Sequence, residues 1–501
     1  MTVRRVAVVG AGSSGLACIK ICIDEGLEPV CFESSDDIGG LWRFKVEATP
    51  ERSSIYRGLV VNTSKEMMCF SDFPTPADFP NYMHNSQLLQ YFRLYAEHFN
   101  LLKHIHFQTT VKSVTQTADF SETGQWEVVT INKNGDWVRH VFDAVLVCSG
   151  HYTHPLTVFS ESFIYFLSPL FNFSGRCFHS WEYKDADAYR GKRVVVVGIG
   201  NSGGDIAVEI SRSAEKTFLS SRKGAWVVGR MSTNGLPLDM TAITRFSYLL
   251  TLLLPKALIN WLQPKKMKYT YLGLSSYPFP RLLDRSPLIN DDLPGRVLLG
   301  GLVMKANLRG FVDSGVVFED GTVEENIDAV VFCTGYRGTF PFLPPALSQG
   351  PYGELTLYKS PLKKTFLNKS EMQARWAVKV FTGKTLHTVL HTVTKGGNVI
   401  GMCVPLRFDT VTTFITKDTV ILDFYLQVGV RPNFLLLLLR DPVLWVKVVF
   451  GPCTPYQYRL TGPGQWAGAR HAILTQWKRV AQPFKTRAAH LLHWLTNRTW
   501  C

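Results

Sequence analysis

The chain has 501 residues, 46% of them hydrophobic and 19% charged, which is enough to bury two or three domain cores and too apolar for a disordered chain. Its 54 basic and 40 acidic residues leave a net charge of +14, but the basic residues are scattered and form no stripe with interleaved aromatics. That excludes nucleic acid and leaves a membrane surface or phosphorylated cofactors as the partners.

In chain order, Met1 to Arg5 lead straight into a first strand without a signal peptide, which points to a reducing, cytosol-facing compartment. The ten cysteines have no Cys-x-x-Cys spacing, so neither a metal nor a dithiol redox centre is expected. The apolar run Val6 to Val9 precedes Gly10-Ala11-Gly12-Ser13-Ser14-Gly15, and Leu16 to Glu25 reads as a helix closed by Gly26. Strand, tight turn and helix are the context that a dinucleotide fingerprint requires. Gly10 permits the turn, Gly12 admits a pyrophosphate, Gly15 lets the helix pack closely, and the helix N-terminus favours negative charge. A second strand, Pro29 to Phe32, ends in Glu33, placed to accept hydrogen bonds from a ribose. The bland alternative is a chance glycine-rich turn.

Further on, Phe142 to Val147 forms a strand ending in Cys148-Ser149-Gly150. The frame then repeats: Val194 to Val197, Gly198-Ile199-Gly200-Asn201-Ser202-Gly203, and a helix opening over Asp205 to Ser211. The next strand, Thr217 to Ser220, ends near Arg222 and Lys223. A basic residue where the first unit has an acid suits a 2′-phosphate, and so NADPH rather than NADH. A solvated Arg-Lys pair is the alternative. Ile327 to Phe332 gives another buried strand, ending in Cys333-Thr334-Gly335, and the two Cys-Ser/Thr-Gly joints suggest where the chain crosses between domains.

The longest apolar stretches, Phe246 to Leu262 and Phe434 to Phe450, fall short of the ~18 residues of a spanning helix. The first is followed by Lys265, Lys266 and Lys268, which suits a helix lying in a lipid interface and equally leaves a buried core helix open. The expected fold is α/β, with two Rossmann-like dinucleotide-binding domains, the NADPH domain inserted into the FAD domain. The first part of the FAD domain covers 1–170. The NADPH domain covers 171–326, with a membrane-associating insertion at about 240–290, and 327–501 complete the FAD domain.

Between the two fingerprints, Phe173-Ser174-Gly175-Arg176-Cys177-Phe178-His179-Ser180-Trp181-Glu182-Tyr183 fits the pattern FxGxxxHxxxY. With Gly39-Gly40-Leu41-Trp42, Asn62 to Phe70, Ile289 to Pro294 and Gly451 to Pro455, it makes the chain resemble the animal, drug-metabolising flavin-containing monooxygenases. That resemblance implies a monooxygenase holding FAD and NADPH. It would oxygenate a soft nitrogen or sulfur of a small amine or thioether with O2, through an FAD C4a-hydroperoxide. The protein itself supplies orientation and exclusion of water.

By the same resemblance Gly10, Ala11, Gly12, Ser13, Ser14, Gly15, Glu33, Gly40, Leu41 and Trp42 are FAD contacts. Val61, Asn62 and Thr63, with Gly198, Gly200, Asn201, Ser202, Gly203, Gly204 and Asp205, are cofactor contacts on the nicotinamide side, and Arg222 takes the 2′-phosphate. Asn62 is the catalytic candidate, although without the resemblance it is only one polar residue in a turn. His179, with no carboxylate or second ligand in its pattern, reads as a structural residue at the domain joint, and Asp291 and Asp292 as loop anchors. The resemblance also implies peripheral or monotopic attachment at the cytosolic face of the endoplasmic reticulum, and is compatible with a homo-oligomer. Two segments depart from the family, 156–172 and 360–370; the second is short enough to have lost a strand of the flavin domain. An uncoupled NADPH oxidase, a Baeyer-Villiger-type oxygenase, or an inactive relative or splice or gene-model variant with an impaired FAD site therefore stay open.

Overall fold

The strand Arg5–Val9 divides its side chains between two cores, as a strand buried on both faces must. Val6 and Val8 pack with Leu16, Ile19 and Phe92, whereas Ala7 and Val9 point the other way, against Trp126, Val128 and Phe142. Arg193–Val197 does the same in the second unit: Val194 and Val196 meet Ile206 and Leu219, while Val195 meets Phe218 and Phe311. The computed structural model describes residues 4–49, 52–156, 173–232, 234–255, 258, 270–272, 287–345, 367–384, 400–402 and 428–487.

Each of these strands lies at the centre of a five-stranded parallel sheet. In the first sheet the order is Ile400–Met402, Ala144–Val147, Arg5–Val9, Glu28–Phe32, Ile105–His106. In the second it is Leu302–Lys305, Lys216–Ser220, Arg193–Val197, Ala329–Phe332, Arg176–His179. The helices Ser13–Asp24 and Asn201–Ile210 follow the two central strands and bury their apolar faces on them. A three-stranded antiparallel sheet, Thr110–Gln116, Trp126–Ile131 and Trp137–Phe142, covers the far face of the first sheet.

One expected boundary moves. The strand Ala329–Phe332 pairs with Arg193–Val197 and Arg176–His179, so the second unit runs past 326 and the chain leaves it only at Cys333. The outgoing and returning chains then lie side by side. His154–Pro155 pairs antiparallel with Tyr336–Arg337, and Leu156 N–H donates to Gly335 O at 2.9 Å.

The helix Leu367–Phe381 packs Ala374, Ala377 and Val378 into the first core. The departing segments 157–172 and 360–366 lie outside the described residues. The apolar stretch at 246 forms the helix Arg245–Leu253, with Leu252 61% and Leu253 70% exposed, so among the described residues this helix is not a core helix. The other forms two helices, Phe434–Arg440 and Pro442–Val449, broken at Asp441, whose carboxylate accepts from Leu444 N–H at 3.0 Å and caps the second. Among the described residues no helix is long and apolar enough to cross a membrane.

Candidate functional site

Both glycine loops close in the same way. Gly10 and Gly198 have φ of +102° and +109°, a backbone that side chains rarely adopt, and a Cβ on either would lie 2.7 Å from Cys148 O or 2.6 Å from Cys333 O. The third glycines, Gly15 and Gly203, lie so close to the first that a Cβ would overlap the carbonyl oxygen of Gly10 or Gly198. Thus the two Cys-Ser/Thr-Gly joints form the floors on which the two fingerprints turn.

Above the first loop opens a cleft of about 500 Å³, lined by Gly10, Gly12, Ser13, Ser14, Glu33, Gly40, Leu41 and Trp42, eight of the ten residues expected to touch FAD. Ala11 and Gly15 are not in its wall: Ala11 is fully buried, and Gly15 packs on Gly10. Ala11 nonetheless contributes, because its N–H donates to Glu33 Oε2 at 2.8 Å. Ser35 donates its N–H and hydroxyl to Glu33 Oε1 at 2.7 and 2.6 Å. These bonds fix the carboxylate at the sheet edge and leave Oε2 with a free lone pair for a ribose hydroxyl. The Ser14 hydroxyl, 1% exposed in the first turn of the helix, has no hydrogen-bond partner among the described residues, and neither has the Ser149 hydroxyl across the cleft. Two unsatisfied hydroxyls beside a helix N-terminus and a side-chain-free turn fit the pyrophosphate of a dinucleotide.

The second loop presents Gly200 and Ser202 to solvent, and Arg222 is exposed beyond the neighbouring strand. Asn201 Oδ1 accepts from Ile289 N–H at 3.1 Å. Asp205 is tied on both oxygens, to Tyr56 OH at 2.7 Å and to Asn290 Nδ2 at 2.6 Å. Burial pushes its carboxyl upward, with the Tyr56 and Asn290 bonds opposing, and burial next to Asp205 holds the Tyr56 phenol well above its usual range. Asp205 therefore binds the second unit's helix to a loop of the first.

Val61, Asn62 and Thr63 are not in the wall of the cleft and sit at the seam between the units. The Arg230 guanidinium donates to Asn62 Oδ1 at 2.7 Å and to Val61 O at 3.3 Å, and pairs with Asp291 Oδ2 at 2.6 Å. Since Arg230 donates to the amide oxygen of Asn62, the Nδ2 of Asn62 is the donor end of that amide. Ser64 N–H donates to Asp239 Oδ2 at 2.7 Å, and burial pushes that carboxyl up to about 6.

His179 is a joint and no base: Trp181 N–H donates to its Nδ1 at 3.1 Å, so the proton is on Nε2, which donates to Gly335 O at 3.0 Å. Burial pulls its imidazole down to about 4. Asp292 pairs with Arg212 at 2.5 Å and Asp291 with Arg230, the anchoring expected of both acids.

Sequence reasoning missed Arg230, Tyr56 and Asp239. None belongs to a fingerprint; the one available signal was the acid pair at 291 and 292, which asked for basic partners.

Residues 3–500 match the family described as flavin-binding monooxygenase-like. Dimethylaniline monooxygenase (N-oxide-forming) 2 of Mus musculus is 45% identical, covering 97% of this chain and 94% of its own length. The chain belongs to the flavin-binding monooxygenase-like family. Flavin-containing monooxygenase 5 of Cavia porcellus is likewise 45% identical, with the same coverage of both chains. Among solved structures, S-allyl-L-cysteine S-oxygenase from Allium sativum superposes with a TM-score of 0.59 at 19% identity, over 97% of this chain and 99% of that one. At that identity the superposition shows the shared fold. This family member is thus an enzyme of the monooxygenase class with a flavin site, on an α/β fold built around two five-stranded parallel sheets.

Proposed function

We propose that this monooxygenase holds FAD over the first glycine loop and NADPH over the second, and oxygenates soft nitrogen or sulfur atoms of small xenobiotics with O2. The observation that carries the reading is the duplicated loop with opposite sequels: Glu33 held ready for a ribose in one unit, and exposed Arg222 in the other. FAD, when bound, supplies the redox chemistry that takes electrons from NADPH and activates oxygen. Gly12 and Ser14 hold the pyrophosphate, Glu33 fixes the ribose, and Leu41 and Trp42 close the cleft against water. Asn62, its amide oxygen held by Arg230, would offer its Nδ2 to the bound cofactors as a neutral donor, which stabilises negative charge without supplying a proton.

The test is reconstitution with FAD, followed by flavin bleaching with NADPH and with NADH and by mass analysis of an amine and a thioether. A single added oxygen atom is expected; peroxide release without product would make the chain an uncoupled oxidase, ester formation from a ketone a Baeyer-Villiger oxygenase, and failure to take up FAD an inactive relative. R222Q should raise KM for NADPH about tenfold, the loss of ~1.4 kcal/mol from one charge-assisted pair, and leave NADH unchanged.

We also infer peripheral or monotopic membrane attachment through one face. The helix Arg245–Leu253 and the pair Phe434–Arg440 and Pro442–Val449 are neighbours: Phe246 and Phe450 have ring centroids 5.0 Å apart, and the Arg245 guanidinium lies 5.4 Å from the Phe434 ring. Their exposed side, with Leu249, Leu252, Leu253, Leu435 and Leu439, has the cations Arg431, Arg440 and Lys447 exposed beside it, which suits an anionic lipid surface. On the family resemblance we take that surface to be the cytosolic face of the endoplasmic reticulum.

A further inference from the structure

The floor of the flavin loop contains a pair of thiols that the reaction does not use. Cys148 Sγ lies 3.5 Å from Cys18 Sγ. Cys18 is on the helix Ser13–Asp24, whose first turn faces the dinucleotide; Cys148 is the joint residue that carries the Gly10 turn, with its N–H bonded to Val9 O at 2.8 Å. Cys148 lines the cleft and keeps 5% of its surface exposed, whereas Cys18 is fully buried behind it.

The duplicated architecture provides an internal comparison. Cys333 occupies the same place under Gly198, with its N–H on Val197 O at 2.8 Å. The helix position that corresponds to Cys18, counted from the first glycine, is Ile206. In the second unit the larger apolar Ile206 fills that place in the core, without a second sulfur. The paired thiols are therefore peculiar to the flavin unit.

We propose that Cys18 and Cys148 form a redox-sensitive pair in which peroxide at the flavin cleft converts the two thiols to a disulfide. The Cys148 thiolate attacks one oxygen of hydrogen peroxide, the O–O bond breaks, and hydroxide leaves and takes up the thiol proton as water, giving Cys148 sulfenic acid. The Cys18 sulfur then attacks the Cys148 sulfur, its proton leaves with the hydroxyl as a second water, and the S–S bond closes. Two thiols lose two electrons to one peroxide. Closing from 3.5 Å to a bond of about 2.0 Å displaces the fingerprint helix relative to the strand Ala144–Val147. The turn between them is the pyrophosphate cradle, so the oxidised chain binds FAD more weakly, with an expected rise in Kd of about tenfold.

The proposal rests on the flavin reading only for the natural source of peroxide, and the test supplies its own. Purified holoenzyme is titrated with hydrogen peroxide, quenched with catalase, denatured under an alkylating reagent and digested, with retained flavin measured on the same samples. The expected result is a Cys18–Cys148 linked peptide lighter by two hydrogens, growing as flavin is lost and reversed by dithiothreitol. In C18A the reaction stops at Cys148 sulfenic acid, trapped by dimedone, with flavin retained. Recovery of both cysteines in alkylated form after a dose that releases the flavin, or a link between any other two cysteines, overturns it. The wild-type measurement decides even if C18A does not fold. A chain that never turns over NADPH still forms the link, so this failure and that of the monooxygenase reading are told apart.

Discussion

Arg230 holds the catalytic candidate by its oxygen. Without that bond the Asn62 amide can rotate and present an acceptor where a donor is needed, while the Asp291 pair and the Val61 carbonyl bond are lost together. R230Q is expected to retain FAD, lower kcat by one to two orders of magnitude, equivalent to ~1.4 to 2.7 kcal/mol, and raise the peroxide released per NADPH oxidised. Stopped-flow spectra and a peroxide assay read both. His179 and Asp239 give opposite pH dependences. His179 falls from 6.5 in the unfolded chain to about 4 in the fold, so across that window only the unfolded chain takes the proton, and stability rises with pH. Asp239 rises from 3.8 to about 6, so there the folded chain keeps the extra proton, and stability falls as pH rises. D239N should therefore steepen the loss of melting temperature on acidification, and H179Q should flatten it. The fingerprint glycines were legible in the sequence because a positive φ and a close approach to a carbonyl each demand glycine at a fixed place. Tyr56, Arg230 and Asp239 were not, because Asp205, Asn62 and Ser64, to which they bond, lie more than a hundred residues away and a long-range hydrogen bond leaves no local spacing.

Among the elements, the two strand–turn–helix units were readable from four-residue valine-rich runs followed by glycines, and their strands form the centres of the two five-stranded sheets. The strand Ala329–Phe332 was also visible as an apolar run, but a run buried on both faces does not say which sheet it joins, and its pairing placed it in the other unit. The helix Arg245–Leu253 posed the same ambiguity in another form: a leucine-rich stretch reads alike whether protein or lipid covers it, and among the described residues Leu252 and Leu253 stand exposed. Replacing Leu252, Leu253 and Leu439 by serine is expected to reduce cosedimentation with anionic vesicles at least tenfold, since each leucine contributes about 1.5 kcal/mol or more when buried. Activity toward a soluble amine should be unchanged. Equal binding of the triple variant and the parent would remove this face from membrane attachment.

Across the whole molecule the two units are joined by more than the chain. Trp181 Nε1 donates to Arg52 O at 2.6 Å, Lys184 Nζ to Ser54 Oγ at 2.5 Å, and Tyr56 to Asp205, so the loop from Arg52 to Tyr56 is held by the second unit while it borders the flavin cleft. The paired crossings at His154–Pro155 and Tyr336–Arg337 also bear on inheritance. Because the chain leaves and returns at adjacent points, the region between them can be exchanged as a cassette without re-routing any strand of the first sheet. A chimaera carrying the corresponding region of a relative should fold, keep FAD and adopt the donor's nicotinamide preference, provided that the donor has the partners of Arg52, Ser54 and Tyr56. Coenzyme choice can then be recombined independently of flavin chemistry, because a two-strand junction separates the genetic units that the seam of hydrogen bonds joins.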